Sequence, residues 1–224
     1  MKSNPISAAI IAQDEENYIG RLLENIKDYV DEIIVVDGGS TDNTVAICES
    51  YGAKVFHRPF DMDFSAQRNF ALDHCTHDYV LCMDADEFCS LEALSILKPL
   101  SGIDKNIGRF LFKITSIVIH PDREEAINAW DIARLIRKSR GRWQNRIHEA
   151  FCLYEGYDSY VVPDEFVIYN KKSQSRQAYN NALYGNLDKG LFERPPYDVG
   201  VEWATVDGVF KIVKTFKNSR NDLV

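Results

Sequence analysis

Apolar runs that stop abruptly at polar or acidic residues set the rhythm of residues 6–90. Ile6 to Ala12 is the first and ends at Gln13-Asp14-Glu15; Glu32 to Val36 is the second and ends at Asp37. Lys54 to His57 is a short third, followed by Arg58, and Tyr79 to Met83 leads into Asp84-Ala85-Asp86. Runs with no polar side read as strands buried on both faces of a parallel sheet. Between them, apolar residues return at helical spacing. Ile19, Leu22, Leu23, Ile26 and Tyr29 form one helix with Asp14 as its N-cap, and further helices run from Asn43 to Tyr51 and from Phe64 to His74. This alternation predicts an α/β fold: a mostly parallel central sheet with helices on both faces.

The pattern changes after residue 90. Leu91 to Leu100 reads as one helix, and the alternation from Arg109 to Ile119 suggests antiparallel strands. Ala129 to Arg137 and Ile147 to Tyr154 read as further strands, joined by the basic turn Lys138-Ser139-Arg140-Gly141-Arg142. Ser173 to Phe192 has helical spacing, Pro195-Pro196 breaks it, and Val206, Val209, Phe210, Val213 and Phe216 place an apolar stripe on a last helix. The expected organisation is one domain over residues 1–170, in halves of about 1–90 and 91–170, with C-terminal helices over 171–224.

Composition narrows the function. The chain has 224 residues and a formal net charge of −8, which argues against general nucleic-acid binding. Five scattered cysteines without a C-x-x-C pair read as reduced thiols of a cytoplasmic protein. Met1-Lys2-Ser3-Asn4-Pro5 leads straight into a strand, so no signal peptide is expected, and no apolar run approaches a membrane span.

The ends of the strands carry the candidate chemistry. Alternation sends Asp84 and Asp86 to the same side, and two carboxylates so close call for a cation; their hard oxygens suit Mg2+ or Mn2+. In open α/β sheets ligands bind beyond the carboxyl ends of the strands, where this pair falls. Asp37 before Gly38-Gly39 lets backbone approach a ligand, while its carboxylate can accept from a base imide or ribose hydroxyls. Neither a G-x-G-x-x-G fingerprint after the first strand nor a G-K-[ST] loop is present. Arg68, within Gln67-Arg68-Asn69, taken alone reads as a snorkelling surface residue before a phosphate ligand. His148-Glu149 offers a metal ligand and a general base, or a polar strand residue beside a satisfied histidine. The segment from Arg134 to Arg146 holds six basic residues and no acid, suiting either a phosphate-bearing acceptor or a solvated face.

Taken together, I-I-A-Q-D-E-E, I-I-V-V-D-G-G-S-T-D-N-T, D-F-S-A-Q-R-N and V-L-C-M-D-A-D-E, followed by His148-Glu149, resemble a family 2 glycosyltransferase of the GT-A (Rossmann-like) fold. The nearest branch is that of lipopolysaccharide-core β-glucosyltransferases, and the resemblance covers about residues 6–150. It implies an inverting transfer from a nucleotide-sugar, a UDP-sugar foremost, to a glycan or lipid-linked acceptor in cell-envelope synthesis. By it Ala12, Gln13, Glu15, Asp37 and Arg68 would hold the nucleoside and diphosphate, with Gly38, Gln67 and Ala85 in the same set. Asp84 and Asp86 would reach the ribose and the Mn2+ or Mg2+, with His148 a further metal ligand. Tyr169 stands where relatives of this branch carry a His. Glu149 is the expected catalytic base, with Asp131 in reserve. The last helix would pack on the domain, meet a second subunit in a homodimer, or touch the membrane from the cytoplasmic side. Rival readings are a sugar nucleotidyltransferase, a haloacid-dehalogenase-type phosphatase, and a non-catalytic nucleotide-sugar-binding module.

Overall fold

A computed structural model describes residues 3–188, 199–206 and 209–217. The first four strands are β1 (Ile6–Ala12), β2 (Glu32–Asp37), β3 (Lys54–His57) and β4 (Tyr79–Asp84), separated by α1 (Ile19–Ile26), α2 (Thr44–Ser50) and α3 (Phe64–His74). All their pairings are parallel, in the order β3-β2-β1-β4. The sheet is covered on both sides because alternate strand residues feed two cores. Ile6, Ala8 and Ile10 pack with Leu22, Leu23 and Ile26 of α1, whereas Ala9, Ile34 and Val80 pack with Ala71 and Leu72 of α3.

Local chemistry fixes the helix starts. Asp63 caps α3 by accepting the Ala66 N–H at 2.9 Å, and Ser90 caps α4 (Leu91–Leu100) by accepting that of Ala93 at 3.1 Å. Asp14 is not the cap of α1. That helix begins after Tyr18 with no side-chain cap, while Asp14 (φ 54°) turns toward the neighbouring loop and accepts the Thr41 N–H at 2.7 Å. A short β5 (Glu87–Cys89) precedes α4, and β6 (Ile107–Ile119) and β7 (Glu124–Arg137) follow it. One 3-10 turn leads to β8 (Gly141–Gln144), β9 (Ala150–Leu153), β10 (Asp158–Val161), β11 (Val167–Ser173) and α5 (Gln174–Asp188). The main sheet continues past β4 as β7-β6-β11-β5, with β10 also paired to β6; β4–β7 and β5–β11 are antiparallel. β8 and β9 form a separate antiparallel pair.

The chain divides into two compact units, residues 1–116 with 127–171, and residues 117–126 with 172–224. The last helix expected from sequence is instead an antiparallel hairpin, β12 (Val199–Val206) and β13 (Val209–Lys217). Both stretches are rich in Val, Ile, Thr and aromatics, and Asp207-Gly208 between them is a two-residue hairpin signal. A strand repeats every two residues, so the stripe read at helical spacing does not exist, and the interfacial-helix reading loses its basis. Residues 189–192 of the expected helix before it, and Pro195-Pro196, lie outside the described residues. No described helix is long and apolar enough to cross a membrane. All five cysteines are free, and Cys48, Cys75, Cys82 and Cys89 are buried in the core.

Candidate active site

Register brings four strand ends together: Ala12 lies beside Asp37, Ile11 beside Asp84, and Asp37 beside His57. At this edge the loops brace one another. Asp37 is buried and accepts the N–H groups of Gly39 and Ser40, and its Oδ2 lies 3.1 Å from His57 Nδ1. The Glu15 N–H donates to Thr44 Oγ1 at 2.7 Å, and Gln13 Nε2 donates to the Gly39 carbonyl at 3.3 Å. Gly38 lies in a crowded place, where a Cβ would meet Gln13 Oε1 at 2.9 Å and Phe60 at 3.2 Å and push both neighbours back. Gly39, at φ +103°, has open space around it.

The D-F-S-A-Q-R-N stretch is a jig that holds the His148-Glu149 loop. Asp63 caps α3, and the Phe64 N–H and Ser65 hydroxyl donate to the carbonyls of Arg146 and Asn145. Asn69 makes a two-way pair with the Trp143 backbone, at 2.9 and 3.1 Å. Gln67, buried, exchanges bonds with Arg58: its Oε1 accepts from Nη1 at 2.5 Å and its Nε2 donates to the carbonyl at 2.8 Å. Arg68 is only 5% exposed, so it is not the surface residue that its helix alone suggested. It donates to Glu149 Oε1 at 2.9 Å and to Asp84 Oδ1 at 2.6 Å, and its guanidinium lies 5.0 Å from the Trp143 ring centre.

A second arginine completes the network. Arg134, 3% exposed on β7, donates to both Glu87 oxygens at 2.9 and 2.6 Å and to Asp84 Oδ2 at 3.0 Å. Asp84 is thus gripped on one oxygen by Arg68 and on the other by Arg134. Burial pushes the Glu87 carboxyl up to about 7 against the pull of Arg134, whose own guanidinium is held firmly protonated by Glu87 and Asp84 despite its burial. Sequence reading missed Glu87 and took Arg134 only as part of the basic segment; the signal for its pairing was a lone charge inside the apolar stretch Ala133-Arg134-Leu135.

Asp86 and Ala85 are buried at the turn after β4. Asp86 Oδ1 accepts from Asn170 Nδ2 at 2.7 Å, and its carbonyl accepts from the Lys171 N–H and Arg21. Tyr169, in the position where a histidine was looked for, stacks on Phe88 at 5.3 Å. His148 is exposed at φ 50°, and among the described residues no group of three or more His, Cys, Asp or Glu side chains is arranged to hold a metal. The residues present still suit a divalent cation. Asp86 supplies a hard oxygen, and the buried Asn170 Oδ1 beside it finds no hydrogen-bond partner.

Both candidate bases line one cavity of about 240 Å3, with Arg109, Leu111, Trp143 and Phe151 among its walls. Glu149 reaches it with Oε1 held by Arg68, whereas Asp131 lies 3.6 Å from Lys113. The basic segment is spent internally. Arg134 serves Glu87 and Asp84, Arg137 pairs with Asp78, Lys138 with the Cys75 carbonyl, Arg140 with Tyr157, Arg142 with Asp73 and Arg146 with the Asp61 carbonyl.

Comparison with known proteins agrees with this architecture. Residues 7–107 match the model for glycosyl transferase family 2. An uncharacterized glycosyltransferase of Rickettsia felis is 40% identical over 116 residues, 51% of this chain and 40% of that protein. The lipopolysaccharide core biosynthesis glycosyltransferase LpsC of Rhizobium meliloti is 31% identical over 155 residues, 65% of this chain and 56% of that one. The crystal structure of S. aureus TarS in complex with UDP-GlcNAc superposes with a TM-score of 0.54 at 18% identity, covering 75% of this chain and 58% of that one. Residues 7–107 are therefore similar to family 2 glycosyltransferases, and the fold is the GT-A fold shared with TarS. It spans about half the length of these curated relatives or less.

Proposed function

We propose that this protein is an inverting, divalent-metal-dependent glycosyltransferase. It moves a sugar from a nucleotide-sugar, a UDP-sugar foremost, to a hydroxyl of a glycan or lipid-linked acceptor in cell-envelope polysaccharide or lipopolysaccharide synthesis. The observation that carries this reading is the tie from Glu149 through Arg68 to Asp84, which links a carboxylate on a pocket to the carboxyl edge of the sheet. The name of the LpsC relative supports the envelope acceptor.

In this reading Ala12, Gln13, Glu15, Asp37 and Gly38 form the nucleoside side, and Asp84, Ala85 and Asp86 the ribose and metal side. Arg68 and Gln67 contribute by fixing Asp84 and Arg58, because their polar groups are already engaged with protein. A divalent cation held at Asp86 would supply positive charge against the leaving diphosphate. Glu149 is the base. Arg68 occupies Oε1, so Oε2 is the oxygen that takes the acceptor hydroxyl's proton. Trp143 and Phe151 give the cavity apolar walls, and Arg109, Asp131 and Glu149 give it polar ones, a combination suited to a sugar ring. The domain division at about residue 170, with nucleotide and acceptor halves, belongs to the same proposal.

The test is a panel of UDP-, GDP-, CMP- and dTDP-sugars incubated with the protein, with and without Mn2+. Sugar release from one donor, dependent on Mn2+, is the expected result. Hydrolysis of none, alongside retained nucleotide binding, would instead identify a non-catalytic binding module.

A further inference from the structure

We propose that Asn170 supplies, through its Oδ1, the second protein oxygen of the divalent-cation site at Asp86. This rests on the metal reading given above for Asp86. Asn170 lies on β11 directly opposite Glu87 of β5, and this antiparallel register sets it beside Asp86. Both residues are buried, at 7% and 6% exposure. The Asn170 Nδ2 donates to Asp86 Oδ1 at 2.7 Å; a carboxylate accepts only, so the nitrogen is the atom that faces it. The geminal Oδ1 is then left beside the carboxylate with no hydrogen-bond partner among the described residues.

A buried carbonyl oxygen left unmatched is costly, so an orphan of this kind calls for a partner that the protein itself does not provide. A small divalent cation fits. Mg2+ and Mn2+ prefer hard oxygens, and such sites use one or two protein oxygens with substrate phosphates and water filling the rest of the shell. Asp84 is less suited to that second place, because Arg68 and Arg134 already draw on both of its oxygens. The backbone of Asp86 is held as well, its carbonyl accepting from both Lys171 N–H and Arg21, which keeps the pair in register. Asn170 therefore has two tasks: Nδ2 orients the Asp86 carboxylate, and Oδ1 joins it on the ion.

Calorimetric titration of MnCl2 into the protein with saturating UDP separates these tasks, with thermal melting as the control for folding. Asn170→Leu removes both groups and is expected to weaken Mn2+ binding by about tenfold or more. Asn170→Asp keeps an oxygen but loses the donor, and is expected to bind Mn2+ within about threefold of wild type or more tightly. Wild-type affinity in Asn170→Leu overturns the proposal. So does an equal loss in Asn170→Leu and Asn170→Asp with melting intact, since that makes Asn170 a donor only. If Asn170→Leu does not fold, Asn170→Asp decides alone: retained Mn2+ supports the ligand role and its loss ends it. Failure of wild type to bind Mn2+ overturns the metal reading itself and this inference with it, whereas a wild type that binds beside indifferent variants overturns only the inference.

Discussion

Along the ends of β1 and β2, backbone does most of the holding. Asp37 takes the amides of Gly39 and Ser40, Asp14 takes that of Thr41, and the Glu15 amide goes to the Thr44 hydroxyl. Across β4, β5, β7 and the β8–β9 pair, side chains hold side chains: Glu87, Arg134, Asp84, Arg68 and Glu149 form one chain of ion pairs, in which Glu87 and both arginines are buried. The first region is built from contacts between neighbouring strand ends whose residue types already announce a loop. The second depends on partners up to 81 positions apart, and each charge in it is tolerable only because the next one is present.

That difference predicts where the molecule breaks. Arg134→Met should be the most damaging single change, because it leaves Glu87 buried without its cation and takes a partner from Asp84. A loss of about 3–5 kcal/mol is expected, read from urea unfolding midpoints. A change in the first region such as Thr41→Ala, which keeps the backbone amide that Asp14 uses, should cost far less in the same measurement. Comparable losses in both would erase the distinction.

The next largest effect is on catalysis. Glu149→Gln keeps the shape of the side chain and a bond to Arg68 but removes the basicity. Transfer to acceptor should fall by roughly a hundredfold or more, with UDP affinity nearly unchanged. Asp131→Asn lines the same cavity and serves as the comparison; if it loses transfer while Glu149→Gln keeps it, the base is Asp131.

The same contrast explains what the sequence disclosed. The parallel half was legible because apolar runs of strand length, alternating with helical spacing, have one economical packing, and acids at the run ends mark its carboxyl edge. Glu149 was singled out by motif, but its tie to Arg68 was not foreseen, because a helix position does not say which strand its side chain reaches. The partners of Arg134 and Asn170, on β7 and β11, were hidden because the pairing of these strands with distant parts of the chain is not written in their own residues. The hairpin Val199–Val206 with Val209–Lys217 was misread because its apolar residues satisfy the helical spacing as well, and Asp207-Gly208 carried the deciding signal.

Two acids give pH dependences of opposite sign. Burial pushes Glu87 up to about 7 in the folded state, so that state binds a proton the unfolded chain has released. Its contribution to stability is present below about pH 4.5 and is lost as pH rises toward 7. Asp78 is also pushed up by burial, but Ser139 and Arg137 outweigh this and hold it below the usual carboxylate range. Its contribution is present above its unfolded value of 3.8 and is lost as pH falls through the folded one. Urea midpoints across pH 3–8 should show that Glu87→Gln flattens the decline between about 4.5 and 7, while Asp78→Asn flattens the loss on the acid side. A Glu87→Gln variant with the wild-type slope would mean that Arg134 keeps this carboxylate ionised throughout.

The smallest effect concerns the basic segment. In sequence it suited a phosphate-bearing acceptor, yet each of its six cations meets a group of the protein itself. Arg142 is the most useful probe, because its 2.6 Å pair with Asp73 is substantially exposed on both sides and neither residue is paired with the Glu87-to-Glu149 chain in the ion pairs given above. Exposed pairs of this kind contribute about 0.2–1 kcal/mol, since water screens them and two long side chains must be ordered to form them. Arg142→Ala should therefore lower stability by less than about 1 kcal/mol. It should leave both the donor KM and the acceptor KM where they were. An acceptor KM raised tenfold at unchanged stability would mean that Arg142 leaves Asp73 to meet the acceptor, and that the segment recognises phosphate after all.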